Sequence, residues 1–223
     1  DSRPADRVMS RKGQIGYYSG REVVPFPRLS TLPELGDYCR RAGARYLYYS
    51  WYEARIRPQF VYLLDTTATV PGLTAVYQSR MNPSVVYRIG PEFGTVPRWF
   101  ANPYRVRIHL AQAYVQYLPA AEAATSHLLL AEVAMNRQDP ATALGHLDEA
   151  MKGAAPVSGT SRLRGEAQRA LGNMGGAIDA YQRAVVMDPA DTLARLGLGW
   201  AQLGNGNVDL AARAWRPAIG PRV

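Results

Sequence analysis

Three alanines, Ala143, Ala177 and Ala211, stand 34 residues apart, and other positions keep the same interval. Leu147, Tyr181 and Trp215 repeat at 34, as do Ala150, Ala184 and Ala218, and Ala131, Gly165 and Gly199. The segments in register are LAEVAMNRQDPATALGHLDEAM (130–151), RGEAQRALGNMGGAIDAYQRAV (164–185) and LGWAQLGNGNVDLAARAWRPAI (198–219). A unit this short cannot bury an apolar face by itself, so copies must stack. Small residues let two helices approach closely, and the ring or leucine opposite fills the space between them. This grammar restricts the second half of the chain to an all-α array of three helix pairs, over about 124–157, 158–191 and 192–223.

The pattern resembles the tetratricopeptide (TPR) repeat over about 124–223. Pro189 after Asp188 breaks the chain between copies, as that family expects; Pro156 does so one residue late, and Pro217 falls inside the last helix. A TPR array implies a groove lined by the first helix of each pair. Those positions are Leu128, Glu132 and Met135, then Arg162, Glu166 and Arg169, then Leu196, Trp200 and Leu203. Mixed charge with an apolar end suits a peptide or a partner helix. The candidate partner-binding residues are therefore Glu132, Arg162, Glu166, Arg169 and Trp200. The competing use of that surface is packing against the chain's own first half.

Residues 1–90 follow different rules. DRVMS (6–10) and REVVPFP (21–27) are expected as strands. TLPELGDYCRRAG (31–43) is expected as a helix: Thr31 and Glu34 have capping-box spacing, Pro33 sits in the first turn, and Gly43 ends it. ARYLYYS (44–50), LTAVYQS (73–79) and SVVYRIG (84–90) follow as strands, the last two joined by RMNP. RPQFVYLLD (57–65) fits a short helix or another strand. The alternation predicts a small α/β domain with a mixed sheet, a linker over 91–103, and a helical domain over 104–223. The fold class is thus a small mixed-sheet α/β domain followed by an all-α TPR-like repeat array.

The stretch RYLYYSWYEARIRPQF (45–60) interleaves six aromatics with three arginines, as a single-stranded nucleic-acid platform would. Residues 1–100 carry 14 basic against 8 acidic side chains, out of a chain total of 26 against 18 and a net charge of +8. Nearly all of that charge is arginine, which a GC-rich genome explains more simply than a phosphate site does. Strand alternation also divides the stretch: Tyr46, Tyr48 and Tyr49 belong to a strand, while Trp51, Glu53, Arg55 and Arg57 follow its C-terminal end. That second group holds the candidate ligand-facing residues, because α/β sheets place ligands at strand C-termini. No nucleic acid is expected as a partner.

Catalytic chemistry finds no foothold. His109, His127 and His146 are widely spaced on expected helices, without an HxxxH pair, and are read as structural or surface residues. GQIGYYSG (13–20) lacks the phosphate-loop spacing and its lysine, and Ser19, Ser50 and Ser158 lack a GxSxG setting. Glu53 is expected to pair with Arg55 or Arg57 rather than to work with Asp65. Cys39 is the single cysteine, so no intrachain disulfide can form, and it shares the apolar spacing of Leu32 and Leu35 as a buried residue. No catalytic residue, metal ligand set or cofactor is assigned. No run of about 18 apolar residues is present to span a membrane.

The series VMSRKGQIGYYSGREVVPFP, TLPELGDYCRRAGARYLYYSWYEARIRPQF, VYLLDTTATVPGLTAVYQS and PSVVYRIG resembles the soluble tail of bacterial GT-C membrane glycosyltransferases, similar to dolichyl-phosphate-mannose protein mannosyltransferases. The likeness covers about 7–90 and includes no catalytic motif, since that family's carboxylates lie in its membrane body. It implies an extracytoplasmic, periplasmic region that is not catalytic alone and positions an acceptor or partner protein. A lipid-linked sugar or membrane surface is implied as a further contact. The start at Asp1, without Met or a signal peptide, fits the expectation of an excised or processed piece. Two rivals stand beside this reading: a free-standing TPR adaptor, and a nucleic-acid binder built on the basic first half.

Overall fold

The computed structural model describes residues 6–152 and 159–219. Pro156 and the boundary expected at 157/158 lie outside the described residues, as does the side chain of Ala218. Two compact units divide at Tyr117/Leu118.

The first unit opens with β1 (Arg7–Met9), α1 (Gln14–Ser19), β2 (Val23–Val24) and α2 (Leu32–Arg41). Then come β3 (Ala44–Ser50), α3 (Trp51–Ile56), a 3-10 helix over Pro58–Leu64, and the hairpin β4 (Leu73–Ser79) and β5 (Ser84–Ile89). A second 3-10 turn, Arg98–Ala101, leads into α4 (Pro103–Tyr114). The strands form one sheet in the order β2-β1-β3-β5-β4. β1 runs parallel to β2 and β3, while β5 is antiparallel to β3 and β4, so the sheet is mixed.

Helix α2 begins where its capping box dictates. The Thr31 hydroxyl accepts from the Glu34 amide at 3.4 Å, and the Glu34 carboxylate accepts from the Thr31 amide at 3.1 Å. The Ser30 and Thr31 amides, both donating to it, hold the Glu34 carboxyl below its usual range. Gly36, which weakens the helix by propensity, is explained by packing: a Cβ there would collide with the Phe93 carbonyl. Gly43, at φ 63, supplies the left-handed turn that ends the helix.

Period-2 alternation sorts the sheet into two faces. Met9, Leu47, Tyr49, Val85 and Tyr87 point inward, with Leu35, Cys39 and the apolar run Phe60–Leu64, and all of these are buried. Burial pushes the Cys39 thiol up to about 12, so it is an inert core residue. Tyrosine hydroxyls in this core are satisfied by carbonyls: Tyr49 donates to Arg57 at 3.0 Å and Tyr87 to Leu63 at 2.8 Å.

The segment expected as a linker, 91–103, belongs to this core. Phe93 and Trp99 are buried, and the Trp99 indole donates to the Thr69 carbonyl at 2.9 Å. α4 was expected to begin the helical domain, yet Val106, Leu110 and Ala113 pack on the first unit's core. The unit therefore ends at Tyr117 rather than near residue 90. Three prolines read as spacer residues instead frame a packed turn.

The second unit contains α5 (Ala120–Asn136), α6 (Pro140–Ala150), α7 (Thr160–Ala170), α8 (Met174–Met187), α9 (Thr192–Gly204) and α10 (Val208–Ile219). They pair as α5 with α6, α7 with α8 and α9 with α10, giving TPR-like helix pairs. The repeat positions meet as their sizes require. Ala143, Ala177 and Ala211 are fully buried. A Cβ on Gly165 would sit 2.7 Å from the Tyr181 ring, and one on Gly199 would overlap Trp215. Trp215 in turn donates its indole N–H to the Leu196 carbonyl at 3.2 Å.

The turns repeat as well. Gln138, Gly172 and Gly206, again 34 apart, adopt left-handed φ of 60, 77 and 84. One residue later Asp139 and Asn173 accept from the Thr142 and Gly176 amides at 3.0 Å, capping α6 and α8. The Asn173 and Asn207 amides donate to Gln168 and Gln202, another pair at the same interval. Pro217 lies inside α10, as the sequence reading placed it. No described helix is long and apolar enough to cross a membrane.

Candidate functional site

A cleft of about 610 Å³ in the second unit opens among α5, α7 and the end of α8. Its apolar lining comes from Leu128 and Met135 of α5, Leu163 of α7 and Met187 of α8. Helical spacing brings Leu128, Glu132 and Met135 to one face of α5, and Arg162 and Glu166 to one face of α7. The charged lining is Glu132, Glu166, Asp188, Asp191 and Arg162: four carboxylates around one guanidinium.

Arg162 is already engaged. It donates to Glu166 one turn along at 2.6 Å, and its Nε lies 3.4 Å from the Asp191 carboxylate. Those two ion pairs hold Arg162 in place and leave Glu132 and Asp188 on the rim without a cation opposite them in the lining. In a chain of net charge +8 this cleft carries the opposite sign.

Of the five candidate partner-binding residues, Glu132, Arg162 and Glu166 converge here. Arg169 and Trp200 do not line the cleft. Arg169 is exposed on the next turn of α7, beside the Tyr181 hydroxyl. Trp200 is 57% exposed and meets Trp215 edge-on at 5.1 Å. Met187, Asp188 and Asp191 also line it, from the end of α8 and the junction after it, outside the first-helix positions that the repeat implies. Their sequence signal is the DP step at the repeat junction, where a carboxylate faces the neighbouring helix's N-terminal turn.

The four candidate ligand-facing residues of the first unit are divided, with Glu53 and Arg57 buried and Trp51 and Arg55 not. Residues 51–56 are helix α3, not loop. The side chains of Glu53 and Arg57 are 2% and 8% exposed and form a buried ion pair with each other. Arg57 also donates to the carbonyls of Phe26 at 3.0 Å and Pro27 at 3.1 Å, with its guanidinium over the Phe26 ring at 4.6 Å. The pair thus ties the segment after β2 to α3. A charge so buried needs this full set of partners, and it has none left for a ligand. Trp51 packs partly on the core, and Arg55 is exposed.

The histidines, read from the sequence as structural or surface residues, meet partners that their spacing does not show. His109 Nδ1 lies 2.6 Å from the Asp65 carboxylate, which also accepts from the Thr67 amide at 2.9 Å and the Thr67 hydroxyl at 2.6 Å. His127 and His146, 19 residues apart on α5 and α6, bring their Nδ1 atoms to 3.1 Å. Burial lowers both pKa values, and for His127 the neighbouring His146 lowers it further. Among the described residues, no group of three or more His, Cys, Asp or Glu is placed to hold a metal ion.

No protein-family model matches the sequence, and no curated protein matches it. Among solved structures the chain is similar to MamA at 18% identity, with a TM-score of 0.43 over 54% of this chain and 80% of that one. A further MamA structure (AMB-1) aligns at 16% identity and TM-score 0.43, over 84% of this chain and 94% of that one. Likeness at this level carries no functional weight. The TPR-like description stands on the helix pairs and the 34-residue contacts themselves.

Proposed function

We propose that the second unit is a protein-interaction module whose cleft takes a basic peptide segment carrying an apolar anchor. The observation that supports this is the lining: four carboxylates against a single, doubly paired guanidinium, around Leu128, Met135, Leu163 and Met187. A peptide Lys or Arg between Glu132 and Asp188 finds a charge partner, while an adjacent Leu or Met fills the apolar part. An acidic peptide meets like charge and is rejected. The test is titration of the full chain with a fluorescent Arg- and Leu-containing decapeptide and with its Glu-substituted counterpart. Binding of the basic peptide alone, weakened by salt and by Glu132→Lys, is the expected result; equal binding of both peptides refutes the reading.

The finer reading is that the chain is a non-catalytic, extracytoplasmic part of a membrane glycosyltransferase, with the cleft positioning an acceptor or partner protein. Its support is the resemblance over residues 7–90, and a lipid-linked sugar or membrane surface as further contact belongs to the same reading. A free-standing adaptor is the alternative. An upstream reading frame without successive long hydrophobic spans would remove the glycosyltransferase reading and leave the peptide-binding one intact.

A further inference from the structure

The outer face of the first unit's sheet is a second cleft, chemically opposite to the one above. Alternation turns Val8, Tyr46, Tyr48, Val86 and Arg88 away from the core, and α1 walls one side with Ile15 and Ser19. α1 lies close to β2 here: a Cβ on Gly16 would stand 2.6 Å from Val23 Cγ2. The enclosed space is about 400 Å³. Two tyrosines and two arginines, Arg21 and Arg88, line it together with aliphatic side chains, and no carboxylate among the described residues does.

The two guanidiniums are held differently. Arg21 lies over the Tyr46 ring at 5.1 Å and within 3.8 Å of the Asp6 carboxylate. Arg88 is exposed, and among the described residues no acidic group pairs with it. Arg88 stands opposite Tyr46 in the register of β3 and β5, so its charge sits beside the ring lining rather than at a distant rim.

We propose that this face binds a nucleoside monophosphate, with the base against Tyr48 and the phosphate on Arg88. Planar rings and guanidiniums accept a base by stacking, and an unpaired guanidinium fork matches a phosphate. Size selects a small ligand: the space falls in the range of about 300–1,000 Å³ found for small-molecule sites. With no carboxylate among the described lining residues, a phosphate here does not meet the like charge of the second unit's cleft.

Calorimetric titration of the full chain with AMP, adenosine and ribose 5-phosphate tests the proposal. AMP is expected to bind with a Kd on the order of 100 µM, and each fragment at least about tenfold more weakly. Arg88→Ala is expected to weaken AMP about tenfold and Arg88→Lys by less, because a point charge lacks the fork. Tyr48→Ala should lose the preference for AMP over ribose 5-phosphate. Glu132→Lys, in the other unit, should leave AMP affinity unchanged. Ribose 5-phosphate binding as tightly as AMP, an acidic peptide binding more tightly than AMP, or no heat at millimolar AMP each overturns the assignment. Exposed Arg88 and half-exposed Tyr48 are not core residues, so these variants are expected to keep the wild-type circular dichroism.

Discussion

The two units solve the packing problem by opposite means. The first fills its core with large, irregular side chains, Phe26, Tyr49, Phe60, Tyr62, Phe93 and Trp99, and must then satisfy the polar atoms that its tyrosines, its tryptophan and the buried Arg57 carry inside. It does so through contacts distant in sequence, such as Trp99 to Thr69 and Arg57 to Phe26. The second unit packs alanine and glycine against one ring or leucine per pair, and its polar requirements are met by caps three residues away. A core of large residues needs many long-range partners to be specified. A core of small ones needs little more than a period.

That contrast predicts where damage spreads. The largest expected effect is Glu53→Gln, which leaves the buried Arg57 uncompensated. It should destabilise the first unit by about 3–5 kcal/mol. Hydrogen exchange resolved by residue checks it: amides of β3 and β5 should lose protection while those of α7 and α8 keep theirs. Equal loss in both would show that the two units do not unfold separately.

Overfilling the small-residue side of the second unit comes next. Gly165→Val drives two extra branches toward Tyr181 and should cost about 1–3 kcal/mol. Denaturant unfolding of that variant together with Tyr181→Leu sharpens the point, because the smaller partner should recover part of the loss. Additive losses would mean that the Gly165–Tyr181 contact is not what sets the helix spacing.

Acid should act on the second unit. His127 and His146 have folded-state pKa values below that of a free histidine, so the unfolded chain binds protons first as pH falls through about 6.5. The stability this pair contributes is complete above that value and is lost as pH falls toward the lowered folded pKa values. Thermal unfolding of α5 and α6 should shift down between pH 7.5 and 5.5, and His146→Gln should flatten the dependence. Unchanged pH dependence in that variant would point to other groups.

The smallest effect is a gain. Gln138 holds a left-handed φ that glycine holds at the two equivalent turns, so Gln138→Gly should stabilise the second unit by about 0.5–1 kcal/mol. A shift of the urea midpoint at constant slope would confirm it. Ala in place of Gly172 should move the midpoint the other way.

Legibility followed the same divide. The helix pairs could be read from Ala143, Ala177 and Ala211 because each repeat contact involves residues at fixed offsets. α2 could be read because Thr31, Pro33, Glu34 and Gly43 punctuate it locally. The linker was misread because Pro91, Pro97 and Pro103 look like spacer residues, while the burial of Phe93 and Trp99 depends on surfaces far away in sequence. The Glu53–Arg57 pair was visible as i,i+4 spacing, but its depth was not, and depth is what turns a ligand candidate into a strut. For the acidic cleft, helical spacing on α5 and α7 brings Glu132, Arg162 and Glu166 into register, whereas Asp188 and Asp191 join them only because α8 ends beside them.

By itself the sequence determined that half the chain is a stack of helix pairs, which residues are small or large within it, and where one sharply capped helix begins. Those features rest on local propensity and on a repeating interval, and neither needs a third dimension. Tertiary structure decided the rest: where the first unit ends, which arginines are buried struts and which face solvent, and that two histidines 19 residues apart touch. It also gave a basic chain an acidic cleft in the second unit and, in the first, a cleft lined by two arginines with no acid among its described lining residues. Burial and charge opposition arise from several segments converging, and composition sums over the whole chain before that convergence has happened.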